Sequence, residues 1–441
     1  MAWSAEEAAE IAHIGPGTPS GEVFRRYWLP VETSANLGGG RGGAFSGAQN
    51  PLRIRILGED LVLYRDGSGK PGLLAEHCSH RGTSLYYGRV EDDGLRCLYH
   101  GWKYDRKGAC LDTPAEPPDS NFRYTVRHPA YPCVEVAGLI FAYLGPPDRE
   151  PSFPRYEELF RTDGVRTTGD AARISRWPWF AQALDNVLDV WHREVLHGWF
   201  KGVPPRAEIH WGKDGGSPTP IKFERTPWGA CYVYLANAGK PGRYEYHETH
   251  AVWPCQRLAG GTGKAIRWGV PIDDHRSRWF AVSFRPFGPG EEAAVIRTPS
   301  STQLSDGNGA VPDDWVEQVG HWWNLGHPWR QGQQWEDEIA MSSSCMPDRD
   351  GLPDSARWRL ASSDQGVLLA REIWSEQVER VRRGLDPIGV TREPNDAHLI
   401  RVPALQCDVD FEEGMRLFNL TIDQRVTEME ERAPGHYAGV R

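Results

Sequence analysis

Two short Cys/His pairs constrain this chain more than any other feature of its sequence. The first is Cys78-Ser-His80-Arg-Gly, and the second is Cys97-Leu-Tyr-His100-Gly-Trp, with sixteen residues between His80 and Cys97. Two sulfur and two nitrogen ligands at this spacing indicate a metal centre that holds two loops together. The other cysteines are scattered along the chain and form no dense disulfide framework.

The order of these ligands favours an iron–sulfur cluster over a structural zinc ion. Ligand number alone fits either centre. In a Rieske [2Fe-2S] cluster two Cys side chains bind one iron and two His side chains bind the other, so each loop is expected to supply one of each. A glycine after each histidine, Gly82 and Gly101, lets backbone N–H groups approach the cluster. We therefore predict a Rieske cluster bound by the two pairs, with a zinc ribbon as the alternative.

Length and charge limit what such a cluster could serve. The chain has 441 residues, which exceeds the roughly 100 to 200 residues of one ordinary domain. Its net charge of -10 argues against nucleic acid or an anionic membrane as the main partner. No run reaches the roughly 18 apolar residues of a membrane helix, and the first residues, MAWSAEEAAEIAHIG, lack a signal-peptide pattern. We expect a cytoplasmic protein that acts on small molecules.

The pattern of the chain divides it into two main parts. Residues 6–14 have helical composition, and residues 52–148 contain short alternating segments typical of β-strands. A stretch rich in Pro and charge at 145–158 predicts a linker, and beyond it helical segments surround strand-like ones. The expected fold is α+β: an N-terminal helix and docking segment (1–45), an all-β Rieske domain (46–150), and a mixed α+β domain with a central antiparallel sheet flanked by helices (151–441).

A second group of candidate ligands follows the linker, in Asn186-Val-Leu-Asp189-Val-Trp-His192-Arg-Glu-Val-Leu-His197. A helix would place Asp189 and His192 on one face, where the carboxylate can orient the imidazole. His192 and His197 diverge by roughly 140° on an ideal helix, so both reach one metal only if the helix bulges or ends between them. Gly198 favours such an ending.

The two groups of residues together resemble the Rieske non-haem iron oxygenases. Oxygenase α subunits of that family combine CxHRG and CxxHGW loops with a downstream (N/D)xx(D/E)xxHxxxxH motif, and this chain has both. The resemblance implies that His192 and His197 bind a catalytic iron(II). It also implies that Asn186 and Asp189 are catalytic residues, with Asp189 connecting the cluster of a neighbouring subunit to His192.

The resemblance also implies a third, acidic iron ligand far downstream, which would complete a facial triad. The family's ligand lies in a segment of the form (E/Q)DxxxxE, or QDxAM in the phthalate dioxygenase branch. The matching segment here is Gln334-Trp-Glu336-Asp337-Glu338-Ile-Ala-Met. Asp337 aligns with the ligand, and Glu336 and Glu338 are its competitors. The segments GPGTPSGEVFRRYWLPV and LASSDQGVLLAREI are also similar to the phthalate branch.

The resemblance weakens through residues 205–330, where a substrate pocket is expected. This region holds two further histidines, His247 and His250 of the sequence HETH. In a strand these two side chains face opposite ways, so we assign them to a pocket or to packing and not to a metal.

The implied protein is a terminal oxygenase component that uses O2 and electrons derived from NAD(P)H. A reductase or a ferredoxin would deliver the electrons, and the product would arise by ring hydroxylation or O-demethylation of an aryl carboxylate or methoxyarene. Kinship implies a head-to-tail homotrimer or a hexamer, with no nucleic-acid or membrane partner. The alternative is an electron-transfer Rieske protein without oxygenase activity, against which the long chain after the cluster module argues.

Overall fold

A computed structural model of the protein has an N-terminal unit of small β-sheets followed by a second unit built on one large antiparallel sheet. This confirms the α+β class predicted from the sequence. The structure describes residues 3–39, 42–43, 50–175, 179–192, 196, 220–237, 241–260, 263–287, 358–393, 400, 402 and 406–432. No helix within these ranges is long and apolar enough to cross a membrane.

Short antiparallel strands form three sheets in the N-terminal unit. Their orders are β1-β12-β11, β10-β5-β4-β3 and β2-β6-β7-β8-β9. The strands are β1 Trp28–Thr33, β2 Gly42–Gly43, β3 Leu52–Ile56, β4 Glu59–Arg65, β5 Pro71–Ala75, β6 Arg89–Val90, β7 Leu95–Arg96, β8 Lys103–Tyr104, β9 Cys110–Asp112, β10 Ala130–Tyr131, β11 Cys133–Val136 and β12 Leu139–Tyr143. The sequence of β12, LIFAY, is apolar throughout and every residue of it is buried, as its central position requires.

The N-terminal helices begin at clear capping signals. Helix α1 (Ala5–Ala12) starts with a capping box, in which the Ser4 side chain accepts from the Glu7 N–H and Glu7 accepts from the Ser4 N–H. Helix α2 (Pro19–Phe24) has Thr18 as its N-cap and proline in its first turn. Strand β1 then pairs with β12, so the predicted docking segment contributes a strand to the first sheet.

The second unit is built on an eight-stranded antiparallel sheet. Its order is β13-β19-β18-β17-β16-β15-β14, and β20 also pairs with β16. The strands are β13 Gly164–Ser175, β14 Ile221–Thr226, β15 Gly229–Asn237, β16 Tyr244–Val252, β17 Cys255–Gly260, β18 Gly263–Asp273, β19 Arg276–Pro286 and β20 Gln406–Val409. Three sequence segments that alternate as strands do, KFERTPWGACYVYLAN, RYEYHETHAVWP and SRWFAVSFRPF, fall in β14 and β15, in β16 and in β19.

Helices lie on both faces of this sheet. A short helix, α3 (Glu157–Phe160), precedes β13, and the long helix α4 (Gln365–Arg382) packs on β14 and β15. Helix α5 (Phe411–Asn419) covers the opposite face, because Gly414 lies against Leu235 while Gly366 of α4 lies against Phe223. Helix α6 (Ile422–Arg432) follows α5. The sheet flanked by helices agrees with the sequence prediction.

Aromatic side chains from distant parts of the chain join the two units into one core. Trp179 packs against Phe24 of α2, at 5.0 Å between ring centroids, and against Trp374 of α4, at 4.5 Å. Phe141 of β12 meets Trp268 of β18 edge to face, at 5.5 Å. Large flat rings bury much apolar area at such contacts, so the two units stabilise each other.

A charged pair adds a specific link between the units. Both terminal nitrogens of Arg278, on β19, donate to the carboxylate of Glu32 on β1, at 2.8 and 2.7 Å. Glu32 is buried, and its Oε1 also accepts from the Asn36 side chain at 3.0 Å. A bidentate bond of this kind fixes orientation as well as contact.

A buried ion network attaches α6 to the outer face of the large sheet. Arg425, only 2 % exposed, donates to Glu248 at 2.9 Å and to Glu224 at 2.6 Å. Burial by itself lowers the pKa of Arg425, but the Glu248 carboxylate beside it raises that pKa above the ordinary arginine value. The cation therefore neutralises a carboxylate that has no access to water, since Glu248 is 0 % exposed.

We predict that Arg425→Met lowers the free energy of unfolding by about 3 to 5 kcal/mol, because it leaves Glu248 buried without its cation. Arg416→Met is the matched control, since Arg416 pairs with Glu413 and Glu428 at the exposed surface of the same helices. It should cost less than about 1 kcal/mol. Urea unfolding followed by fluorescence measures both, and equal costs would contradict the role of the buried network.

Candidate functional site

The first candidate centre lies at one end of the N-terminal unit, where two loops of matching shape occur. Residues 78–83 form the first loop and residues 97–102 the second. In each loop the cysteine N–H donates to the carbonyl five residues later, at 3.0 and 2.8 Å. The glycine four residues after the cysteine donates back to the cysteine carbonyl, at 2.9 and 3.2 Å. These bonds close each loop around its cysteine.

Glycine is needed at the end of both loops. Gly82 and Gly101 have the same backbone conformation, with φ +74°, in the left-handed region that side chains disfavour. At Gly101 a Cβ atom would also come within 3.0 Å of Pro114. The sequence suggested these glycines only as a means for N–H groups to approach a cluster, whereas the structure requires them to close the loops.

The two cysteine sulfurs meet in a buried position and receive several hydrogen bonds. The pKa of Cys78 is lowered to about 5, because its sulfur accepts from the Cys97 thiol, from the Tyr104 hydroxyl at 3.2 Å, and from the N–H groups of residues 80 and 81. The pKa of Cys97 is raised, since it shares its proton with Cys78. Thiolate is the metal-binding form of cysteine, and the hydrogen bonds donated to Cys78 stabilise negative charge on its sulfur.

The two histidines of the pairs also lie together. The rings of His80 and His100 are 4.6 Å apart between centroids, and His80 stacks on Trp102 at 4.4 Å. The Nδ1 atom of His80 is buried and has no hydrogen-bond partner in the described part of the chain. A buried nitrogen in this state is costly unless it binds a metal. The donor set and this unsatisfied nitrogen fit a [2Fe-2S] cluster.

Several large apolar side chains in the second cluster loop and in the segment that follows it are exposed to solvent. Leu98 is 65 % exposed, Tyr99 57 % and Tyr124 70 %. Tyr99 lies against the ring of His100, with 3.7 Å between centroids. We call the exposed side chains Leu98, Tyr99, Phe122 and Tyr124 the apolar rim. Contiguous exposed apolar surface is typical of a site where another protein binds.

The second candidate centre begins at a break in helical structure. Phe180–Asp185 forms a π-helical turn, and a new helical turn starts at residue 190. Asp189 caps this turn, since its Oδ1 accepts from the N–H groups of Trp191 at 2.9 Å and His192 at 3.2 Å. We expected a helix to place Asp189 and His192 on one face, whereas the structure has Asp189 directly before the first residue of that helical turn. Their proximity comes from the cap.

The cap places a carboxylate beside the imidazole of His192. Asp189 Oδ2 lies 3.5 Å from His192 Nδ1, and both side chains are about one-fifth exposed. Burial raises the pKa of Asp189, but the His192 ring and its N–H lower it by more, so the pKa lies below the ordinary value. The carboxylate is therefore charged at neutral pH and can orient the ring for metal binding.

The other predicted members of this centre are only partly described. Asn186 lies in the turn before the cap, and its carbonyl accepts from the Asp189 N–H at 3.4 Å. The predicted ligands His197 and Asp337, and the competitors Glu336 and Glu338, lie outside the described residues. The structure thus brings Asn186, Asp189 and His192 together.

Two contacts from α4 hold this segment in place, and the sequence did not single them out. Arg371 donates to Asp185 at 3.0 and 2.5 Å in a fully buried pair. Burial raises the pKa of Asp185 even with this partner. A Cβ atom at Gly366 would lie 2.1 Å from the carbonyl oxygen of Leu188, so α4 begins directly against the segment. Arg371 does fall in LASSDQGVLLAREI, but its partner 186 residues away has no local signal.

The large sheet presents an aromatic face on the side of α4. Phe223 touches Gly366, and the neighbouring strands add Tyr232, Tyr234 and His247 to this face. The ring of His247 lies 5.0 Å from that of Tyr234, between centroids. We call these four side chains the aromatic face. It lies in the region where the sequence predicted a pocket without naming its residues.

The opposite face carries the second histidine of HETH, as the strand alternation predicted. Within the described residues, Cys231, Glu248 and His250 offer ligand atoms within 4.8 Å of one another. Both His250 nitrogens already have partners, because the Trp228 N–H donates to Nδ1 at 3.2 Å and Nε2–H donates to Glu248 at 2.9 Å. The Glu248 carboxylate also accepts a hydrogen bond from Arg425. This group is a satisfied polar network and not a metal centre.

Known proteins give the same assignment. Residues 28–132 match the model of the Rieske [2Fe-2S] domain family. The phenoxybenzoate dioxygenase subunit alpha of Ectopseudomonas oleovorans is 33 % identical over 412 residues, which cover 89 % of this chain and 90 % of that protein. The 5,5'-dehydrodivanillate O-demethylase oxygenase subunit of a Sphingobium species is 31 % identical, covering 93 % and 88 %. A crystal structure of dicamba monooxygenase bound to dicamba has the same fold, with TM-score 0.54 and 17 % identity over 82 % of this chain and 99 % of that one.

We predict that Cys78→Ala and Cys97→Ala abolish the iron–sulfur chromophore, because each removes a sulfur from the buried pair. Cys110→Ala is the matched control, since Cys110 is equally buried in the same unit and its sulfur points to the carbonyl of Asp112. It should retain the chromophore. Iron and acid-labile sulfide per chain, with the visible spectrum, measure the outcome. A retained cluster in both single variants would contradict the ligand set.

Proposed function

Because this chain belongs to the Rieske non-haem iron oxygenases as an oxygenase α subunit, we propose that it oxygenates an aryl carboxylate or a methoxyarene. The main support for this proposal is the similarity of the chain, over nearly its whole length, to a phenoxybenzoate dioxygenase subunit. The dehydrodivanillate relative is an O-demethylase subunit, so both ring hydroxylation and O-demethylation are open to this fold. The relatives are oxygenase subunits, and they lend no support to an electron carrier without oxygenase activity.

The described residues of the cluster loops fit the [2Fe-2S] group, and His192 with Asp189 beside it supports an iron site. When bound, the cluster and the iron(II) supply single electrons and a coordination site for O2. Cys78, His80, Cys97 and His100 would hold the cluster. His192, His197 and Asp337 would hold the iron, with Asp189 facing Nδ1 of His192 and so leaving Nε2 as the nitrogen for the metal.

We assign the aromatic face to the substrate. It lies across Gly366 and Leu188 from the segment that carries Asp189 and His192. Tyrosine and phenylalanine rings bind another aromatic ring by stacking or by edge contact. They would also exclude water from a buried substrate, which strengthens polar contacts to its substituents. His247 is a polar group on this face, with Nε2 2.9 Å from Thr249 Oγ1.

Electrons reach the chain from a reductase or ferredoxin, as in other oxygenases of this family. We propose that they then pass between subunits, with Asp189 connecting a neighbour's cluster loops to His192. The apolar rim supports this arrangement, because Tyr99 lies against His100, Phe122 packs on Trp102, and the exposed side chains of the rim offer apolar surface to another protein. A head-to-tail trimer, alone or stacked as a hexamer, provides that surface.

We predict substrate-dependent O2 consumption when the full-length protein is supplied with a reductase, NADH and a panel of aryl carboxylates and methoxyarenes. Formaldehyde release would identify O-demethylation, and a cis-diol product would identify dihydroxylation. The Cys78→Ala variant is the control, because it cannot accept electrons. A protein with a reducible cluster, no third iron and no O2 uptake on any compound would instead be an electron carrier.

We predict that Asp337→Ala removes the mononuclear iron and turnover while leaving the cluster spectrum intact. Asp189→Asn should keep both metals but slow oxidation of the reduced cluster by roughly 10- to 100-fold, since it removes the charge beside His192. Metal analysis and stopped-flow absorbance measure these effects, with Asp148→Asn, at an exposed position, as the control. Retained iron in the first variant would point to Glu336 or Glu338. An unchanged rate in the second would argue against the connection through Asp189.

A further inference from the structure

His128 lies behind the first cluster loop and is held in one tautomer. Its ring is 1 % exposed, and its backbone N–H donates to Gly108 at 2.8 Å. Nε2 lies 2.9 Å from the carbonyl oxygen of Ala75, which can only accept, so Nε2 carries the proton. Nδ1 is then an acceptor and receives the Ser79 hydroxyl proton at 2.7 Å. Burial lowers the pKa of His128, which agrees with a neutral ring.

The same ring also contacts the hydroxyl-bearing side chain on the cysteine sulfur. Tyr104 stacks on His128, with 4.6 Å between centroids and 29° between planes. The Tyr104 hydroxyl lies 3.2 Å from Cys78 Sγ. Tyr104 is fully buried, so its ring position depends on such packing. His128 therefore touches both Ser79, which separates two of the proposed ligands, and Tyr104, which bonds one of them.

The second loop has no equivalent arrangement. The residue after Cys97 is Leu98, whose apolar side chain cannot form a hydrogen bond, whereas the residue after Cys78 is Ser79, whose hydroxyl bonds the buried His128 ring. The sulfur of Cys97 accepts from the N–H groups of residues 99 and 100, and its thiol donates to Cys78. Tyr104 is thus a donor that distinguishes Cys78 from Cys97, and His128 supports it.

We propose that His128 is a positioning residue that sets the reduction potential of the cluster by holding the Tyr104 hydroxyl on the sulfur of Cys78. A hydrogen bond donated to a coordinated thiolate draws electron density from the iron and favours the reduced state. Stacking fixes the Tyr104 ring, and the bond to Ser79 fixes the loop that carries Cys78. The inference rests on the cluster ligands proposed above.

The test is the midpoint potential of the cluster in the full-length holoprotein, followed by visible absorbance and by the electron spin resonance signal of the reduced state. We expect Tyr104→Phe to lower the equilibrium constant for cluster reduction about tenfold, which is about 59 mV for a one-electron couple. His128→Leu, which removes the stacking and both ring hydrogen bonds, should lower it in the same direction. Adding His128→Leu to Tyr104→Phe should give no further shift.

The outcomes separate this inference from the proposed function. A wild-type protein without a cluster overturns the ligand set, whereas an intact cluster with an unchanged potential in His128→Leu overturns only the role of His128. A full additional shift in the double variant also overturns the route through Tyr104. If His128→Leu does not load the cluster, His128→Gln decides, because it removes the ring that stacks on Tyr104 but keeps a polar side chain. A lower potential in that variant supports the role, and an unchanged one refutes it. Ser68→Ala, a hydroxyl that bonds Asp66 in the same unit, is the control and should leave the potential unchanged.

Discussion

The packing of Trp179 between Phe24 and Trp374 determines where the second centre can form. These three rings belong to the N-terminal helices, to the segment before the Asp189 cap and to α4, which are far apart in the sequence. Because the contact is buried and aromatic on all sides, it fixes the start of the π-helical turn relative to the large sheet. Asp189 and His192 follow that turn within a few residues. Their position over the sheet therefore depends on the whole core and not on their own helix.

The two centres differ in how much of the fold each one needs. The cluster loops are closed by hydrogen bonds within six residues, and the four side chains come from two neighbouring loops of one small unit. The second centre draws on the cap at Asp189, on the buried pair of Asp185 with Arg371, and on α4 from the far end of the chain. A local centre can form early and tolerate change elsewhere. A centre assembled from distant segments is sensitive to any shift between them.

The sequence predicted the local features well and the long-range ones poorly. The α+β fold, strands β14, β15, β16 and β19 of the large sheet, and the opposite orientation of His247 and His250 follow from residue patterns of short period. The cap at Asp189 was missed, because a carboxylate three residues before a histidine looks the same on a helix face as at a helix start. The π-helical turn has no signature in an apolar pattern. The partner of Arg371 could not be found, since nothing local to either residue identifies the other.

The absence of a side chain at Gly366 allows α4 to lie very close to Leu188 and to the large sheet. The carbonyl oxygen of Leu188 lies where any side chain at position 366 would begin, and the ring of Phe223 closes the same space from the sheet. Helix α4, the segment that carries Asp189 and the aromatic face therefore all lie close to the Cα atom of Gly366. A larger residue at position 366 would force α4, the segment that carries Asp189 or the strand that carries Phe223 to move away. The distance between the segment that carries Asp189 and the aromatic face therefore depends on glycine at position 366.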